Sequence, residues 1–140
     1  MRTLTEFRKR LDDALVARDI TVRTWSAGGS SSRNLMELST SPKLTVLYVK
    51  EFNVLGPPGF WGLTRNQVNR LERSAARWLV VLLLRSSTSG YVLTATQVLR
   101  LIADGSFELS GDGDFKVNED LDLIPEQRFQ SLTELLNRIL

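Results

Sequence analysis

Trp78-Leu79-Val80-Val81-Leu82-Leu83-Leu84 constrains the fold more than any other segment of this chain. Seven consecutive apolar residues leave no polar face, so a strand here has to be covered on both sides. The run is far short of the roughly 20 residues that cross a bilayer. A central strand of this kind needs amphipathic helices and further strands to build layers over it. At 140 residues the chain has the length of one domain, and no internal repeat divides it.

The covering elements can be read along the chain. Leu4, Phe7, Leu11, Ala14 and Leu15 share one face of a first helix, with Thr3 and Glu6 spelling a capping box at its start. Ile20 to Trp25 alternates and is β-branched, which predicts a strand. After the loop Gly28-Gly29-Ser30-Ser31-Ser32, strands at Asn34–Ser39 and Leu44–Lys50 flank Ser41-Pro42-Lys43 and form a hairpin. Leu55 to Gly62 holds Pro57, Pro58 and Gly59 and is expected to be irregular. Thr64 with Gln67 spells a second capping box, opening a helix that buries Val68, Leu71 and Ala75.

Beyond the Ser86–Gly90 loop, Tyr91–Leu93 is a short strand and Thr96–Ala103 a helix stopped by Asp104-Gly105. Phe107–Leu109 and Phe115–Val117 are expected to pair as a hairpin around Gly111–Asp114. A last helix, Pro125 to Leu140, carries Phe129, Leu132, Leu135, Leu136 and Ile139 on one face, with Pro125 in its first turn. The expectation is one α/β domain with a mixed central sheet. Residues 1–85 form its core, and residues 86–140 a helix–hairpin–helix extension packed on it.

Two missing residue types exclude chemistries. Without cysteine there is no disulfide, thiolate nucleophile or zinc ribbon. Without histidine there is no imidazole base and no Ser-His-Asp triad. Catalysis would fall to carboxylates, Lys, Tyr, Ser or Thr, and any metal would be a hard cation held by oxygen. The N-terminus, with its early acid and no long apolar stretch, does not read as a secretory signal, so a cytoplasmic protein is expected.

The net charge of +2 conceals a division. Residues 1–85 hold 14 basic against 7 acidic side chains, and residues 86–140 hold 4 against 9. Arg8, Lys9 and Arg10 lie in the first helix; Arg65, Arg70, Arg73 and Arg77 lie in or just after the second. A basic half of this kind suits a polyanion, and arginine matches phosphate geometry. The bland alternative is a solvated, arginine-rich helix face.

The order helix, three strands, helix, strand resembles the αβββαβ core of the restriction-endonuclease-like, or PD-(D/E)XK, nuclease superfamily. That resemblance implies a metal site on the hairpin: an Asp opening the second strand, a (D/E)-x-K tripeptide on the third, and often an acid on the first helix. Lys50 in Val46-Leu47-Tyr48-Val49-Lys50 falls on the family lysine, while Tyr48 stands where Asp or Glu belongs. Asn34 stands where the metal-binding Asp belongs, and Glu6 is the helix acid. A strand period of two puts Tyr48 and Lys50 on one face and turns Glu37 and Glu51 away from it.

What the resemblance implies is a protein that binds or hydrolyses nucleic acid, DNA rather than RNA, without a membrane and with a second copy of itself as a further partner. If it cuts, Mg²⁺ would be held by Glu6 and Asn34, with Lys50 orienting the water. Arg33, Arg65, Arg70, Arg73 and an exposed Trp61 would contact the nucleic acid. The alternatives are a non-catalytic binding module of the same fold, or a protein-interaction module docking through Val54–Trp61. Each residue also has a structural reading: Glu6 as capping partner, Lys50 as a strand-end lysine, Tyr48 as a core aromatic with its hydroxyl satisfied, Phe60–Leu63 as an apolar plug. Asp112-Gly113-Asp114 reads as a turn rather than a calcium loop.

Overall fold

The apolar run forms β5 (Arg77–Leu83), the strand around which the molecule is layered. The computed structural model describes residues 3–26, 32–52, 60–118 and 127–140. The elements are α1 (Thr3–Val16), β1 (Val22–Thr24), β2 (Leu35–Leu38), β3 (Thr45–Lys50), β4 (Phe60–Thr64) and α2 (Arg65–Arg73). After β5 come β6 (Gly90–Thr94), α3 (Ala95–Ala103), β7 (Glu108–Leu109), β8 (Asp114–Asn118), β9 (Arg128–Phe129) and α4 (Leu132–Ile139). A six-stranded mixed sheet has the order β1-β2-β3-β5-β6-β9, with β3 and β5 parallel and the other pairs antiparallel. A second, antiparallel sheet has the order β4-β8-β7.

Alternation along β5 explains why its sequence is apolar throughout. Leu79, Val81 and Leu83 face a layer built by Phe7, Leu11 and Leu15 of α1 with Leu135 and Ile139 of α4. Trp78, Val80 and Leu82 face the other way, onto Trp61, Leu63, Val68, Leu71, Val98 and Phe115 from the second sheet, α2 and α3. Strand β3 divides likewise, with Leu47 and Val49 on the α1 side and Val46 and Tyr48 on the other. The chain is therefore one α/β domain with a mixed sheet, and strands from both halves of the sequence enter both sheets. Among the described residues, no helix is long and apolar enough to cross a membrane.

Four local expectations are corrected. Phe60–Gly62, expected to be irregular, belongs to a strand, Phe60–Thr64, which pairs residue for residue with Asn118–Asp114 of β8. Thr64 does not form a capping box with Gln67: its backbone N–H is already taken by the Tyr48 hydroxyl, and Gln67 accepts from Arg70 instead. Such a box forms at Thr94 and Gln97, which open α3. Ala75 lies beyond the end of α2 and is exposed. The last helix begins at Leu132 rather than near Pro125, because Ser131 caps it by accepting from the Glu134 N–H while Phe129 pairs in β9. Pro125, the Gly28–Ser31 loop and Val54–Gly59 lie outside the described residues.

Close approach of backbone explains Gly90. A Cβ there would stand 2.0 Å from the Leu82 carbonyl oxygen, so β6 can lie against β5 only with glycine at this position.

Candidate nucleic-acid interface

Strand β3 ends beside β2 in antiparallel register, with Leu35 opposite Tyr48. Tyr48 is 1% exposed, and its hydroxyl oxygen accepts a 2.9 Å hydrogen bond from the Thr64 N–H. Burial raises the phenol's pKa above its ordinary value, against the lowering effect of the Thr64 bond. Lys50 projects into the same layer, its Nζ 5.9 Å from the Tyr48 ring centroid. Half-burial lowers the ammonium pKa, and the charges of Asp114 and Glu51 partly offset this.

Asp114 is the nearby acid that sequence reasoning missed. It opens β8 opposite Thr64, and its Oδ2 lies 3.4 Å from where a Gly62 side chain would begin. The turn signal at Asp112-Gly113-Asp114 was legible, but the register that carries this acid toward Tyr48 and Lys50 was not.

The remaining motif positions have partners of their own. Asn34 donates its side-chain N–H to the Val49 carbonyl at 2.7 Å, and its Oδ1 accepts from the Ser32 hydroxyl at 3.2 Å. Glu6 accepts two hydrogen bonds from Arg10, at 3.2 and 3.0 Å, on the surface of α1. Glu51 lies on the α1 side of β3, where its Oε1 accepts from the Leu4 N–H at 3.2 Å. The helix start is thus held by a carboxylate from just past the end of β3, distant in sequence, which the N-terminal end of the helix dipole favours. The structure brings Tyr48 and Lys50 together with Asp114; Asn34 is tied to the β2–β3 backbone, and Glu6 to its own helix.

These residues do not fit a magnesium ion. Mg²⁺ demands octahedral oxygen donors, carboxylates foremost. Tyr48 offers a buried phenol already accepting a backbone N–H, Asn34 an uncharged amide oxygen with a hydroxyl donor upon it, and Glu6 a surface carboxylate paired with Arg10 on its own helix. No cluster of three or more Asp, Glu, His or Cys side chains suited to a metal occurs among the described residues.

Beside this strand end opens a groove of about 410 Å³, whose lining includes Leu4, Thr5, Arg8, Lys9, Arg33 and Met36 and the acid Asp12. Arg8 donates to the Thr24 hydroxyl at 2.8 Å, and Arg33 to the Thr5 hydroxyl at 2.7 Å. Both guanidiniums are oriented by neutral oxygens. Lys9 makes an i,i+4 pair with Asp13 at 3.1 Å, too exposed to hold either side chain firmly.

The other basic candidates separate. Arg65 and Arg73 are exposed on α2, in the opposite layer. Arg70 lies 5.2 Å from the Trp25 ring and donates to Gln67 at 2.7 Å, a packed position. Trp61 is corrected outright. It is 1% exposed, donates its indole N–H to the Leu83 carbonyl at 2.7 Å and packs on Phe52 and Tyr91, so it presents no face to a base.

The chain is similar in fold to a solved structure. That structure is Hjc from Archaeoglobus fulgidus, a Holliday junction resolvase from an archaeal hyperthermophile. The identity is 16%, the alignment covers 84% of this chain and 89% of Hjc, and the TM-score is 0.50. At that identity the likeness is one of fold. No family model matches the chain, and no curated protein matches it by sequence.

Proposed function

We propose that this protein binds nucleic acid, DNA in preference to RNA, on a nuclease-like fold, and does so without metal-dependent cleavage. The observation that carries the reading is the groove between α1 and the β1–β2 edge. There Arg8 and Arg33, each oriented by a threonine hydroxyl, flank a cleft beside the end of β3. Arginine held in this way presents several N–H donors to phosphate oxygens at little further entropic cost. The resolvase likeness supports the fold on which such a surface is carried, and the basic excess of residues 1–85 supports its sign. Hydrolysis is the less favoured reading because Tyr48 and Asn34 occupy the places where a carboxylate pair would be needed.

Fluorescence anisotropy of a labelled 12-base-pair duplex, titrated across a salt series, tests the proposal. Phosphate contacts give a log–log slope of about 0.9 per contact, so Arg8→Ala and Arg33→Ala should each weaken binding and flatten the slope by about 1. Binding absent at low salt, or indifferent to both substitutions, contradicts the reading. An RNA duplex of the same sequence bound more tightly than the DNA overturns the stated preference.

A further inference from the structure

At the other end of the six-stranded sheet lies a second groove, of about 770 Å³, which the strand motif does not touch. Arg18, Lys43 and Arg77 line it with Ser39, Thr40 and Ser41; Asp19 is the acidic side chain among its lining residues, which also include Leu140 at the end of the chain. Three connections meet there. The α1–β1 link turns through Asp19, whose φ of 60° lies in the left-handed region, and is closed by the Arg18 and Asp19 N–H groups donating to the Leu15 and Val16 carbonyls. In the β2–β3 turn, the Thr40 hydroxyl donates to the Lys43 carbonyl and shares a hydrogen bond with Thr45, both at 2.7 Å. At the start of β5, Arg77 donates to the Ile139 carbonyl at 2.6 Å. The cations therefore stand on bonded turns rather than on loose ends.

The two grooves share the layer that carries α1. Arg8 lies in α1 and Arg18 in the turn two residues beyond its end at Val16, and the helical steps from Arg8 to Val16 rise about 12 Å. On the strand side, Met36 of the first groove and Ser39 of the second are three positions apart, about 10 Å. Phosphates on one strand of a duplex advance about 3.4 Å per step, so this gap corresponds to roughly three to four nucleotides.

We infer that the second groove is a further phosphate-contact site, and that one nucleic-acid backbone engages Arg8 and Arg33 in the first groove and Arg18 and Lys43 in the second. The inference rests on the nucleic-acid reading above and adds to it a footprint: a ligand must exceed about four nucleotides to gain from both grooves.

The test compares a labelled trinucleotide with a 12-base-pair duplex on the full chain, wild type beside an Arg18→Ala/Lys43→Ala double variant. Both side chains are exposed, and an unchanged melting temperature confirms that the variant is folded. The double variant should bind the duplex about tenfold more weakly at low salt, with its salt slope reduced by about 2, and bind the trinucleotide as wild type does. Duplex affinity within twofold of wild type with the same slope overturns the second site. Equal losses for both lengths also overturn it, because they mark a general field rather than a contact. Wild-type protein that binds neither ligand overturns the proposed function, and the footprint with it; wild-type binding unaffected by the double variant overturns the footprint alone.

Discussion

On the α1 side of β3, Glu51 accepts the Leu4 N–H and fixes the start of the helix whose Arg8 and Lys9 line the basic groove. On the opposite side, the Tyr48 hydroxyl accepts the Thr64 N–H beneath the second sheet, with Lys50 over its ring and Asp114 near by. A hydrolytic site on such a hairpin needs acids gathered about one cation. Here the polar groups at the strand end join neighbouring elements instead: one face anchors a helix, the other a strand. The comparison teaches that the two-residue period of one strand end can clamp two layers at once, with a carboxylate on one face and a buried phenol on the other.

Substitutions on the two faces test that division, and the largest effect belongs to the second-sheet side. Trp61→Ala removes a buried indole, its bond to the Leu83 carbonyl and two ring contacts, and should cost about 3–5 kcal/mol in urea unfolding. A cost below about 1 kcal/mol would mean that the second sheet is not packed as described. Tyr48→Phe leaves the Thr64 N–H without its acceptor and should cost about 1–3 kcal/mol by the same measurement, while DNA affinity stays unchanged. Glu51→Ala removes the acceptor at the start of α1 and should cost about 1 kcal/mol. If Glu51→Ala proves more costly than Tyr48→Phe, the two faces have been ranked the wrong way round.

The smallest effect is a dependence on pH. Burial lowers the Lys50 pKa below its ordinary 10.5, so between the folded and unfolded values the unfolded chain binds a proton that the native state does not. Stability contributed at this position therefore rises as pH increases through the lowered pKa toward 10.5. Tyr48 acts in the opposite sense: its pKa is raised above 10.0, and its contribution is lost as pH climbs through the raised value. Lys50→Met should stabilise the protein at neutral pH, with the gain shrinking on the alkaline side, in unfolding curves recorded at several pH values. A gain that grows with pH contradicts the burial of Lys50.

Much of the fold was legible because it is periodic. The first helix, the β2–β3 hairpin and the doubly covered β5 follow from spacing alone, as does the shared face of Tyr48 and Lys50. Strand β4 was not legible. Pro57, Pro58, Gly59 and Gly62 read as breakers, and Phe60–Thr64 becomes a strand only through pairing with β8, some fifty residues later in the chain. The same long-range register conceals Asp114 and cancels the Thr64–Gln67 box, whose backbone donor goes to Tyr48. Local rules fail where a partner from another element takes the bond first. The groove was half legible: the sequence shows the basic excess, but the pairing of Arg8 with Thr24 and of Arg33 with Thr5 exists only in the fold.

The most direct test of binding without metal-dependent cleavage is one experiment with two readouts. Wild type, Arg8→Ala/Arg33→Ala and Lys50→Ala are each incubated at low salt with labelled duplex and plasmid DNA, with Mg²⁺ or Mn²⁺ present, and both complex and cleavage products are followed. The expected result is a complex formed by wild type and Lys50→Ala, lost in the arginine double variant, with the DNA intact throughout. Cleavage by wild type that depends on the metal and disappears in Lys50→Ala would contradict the account.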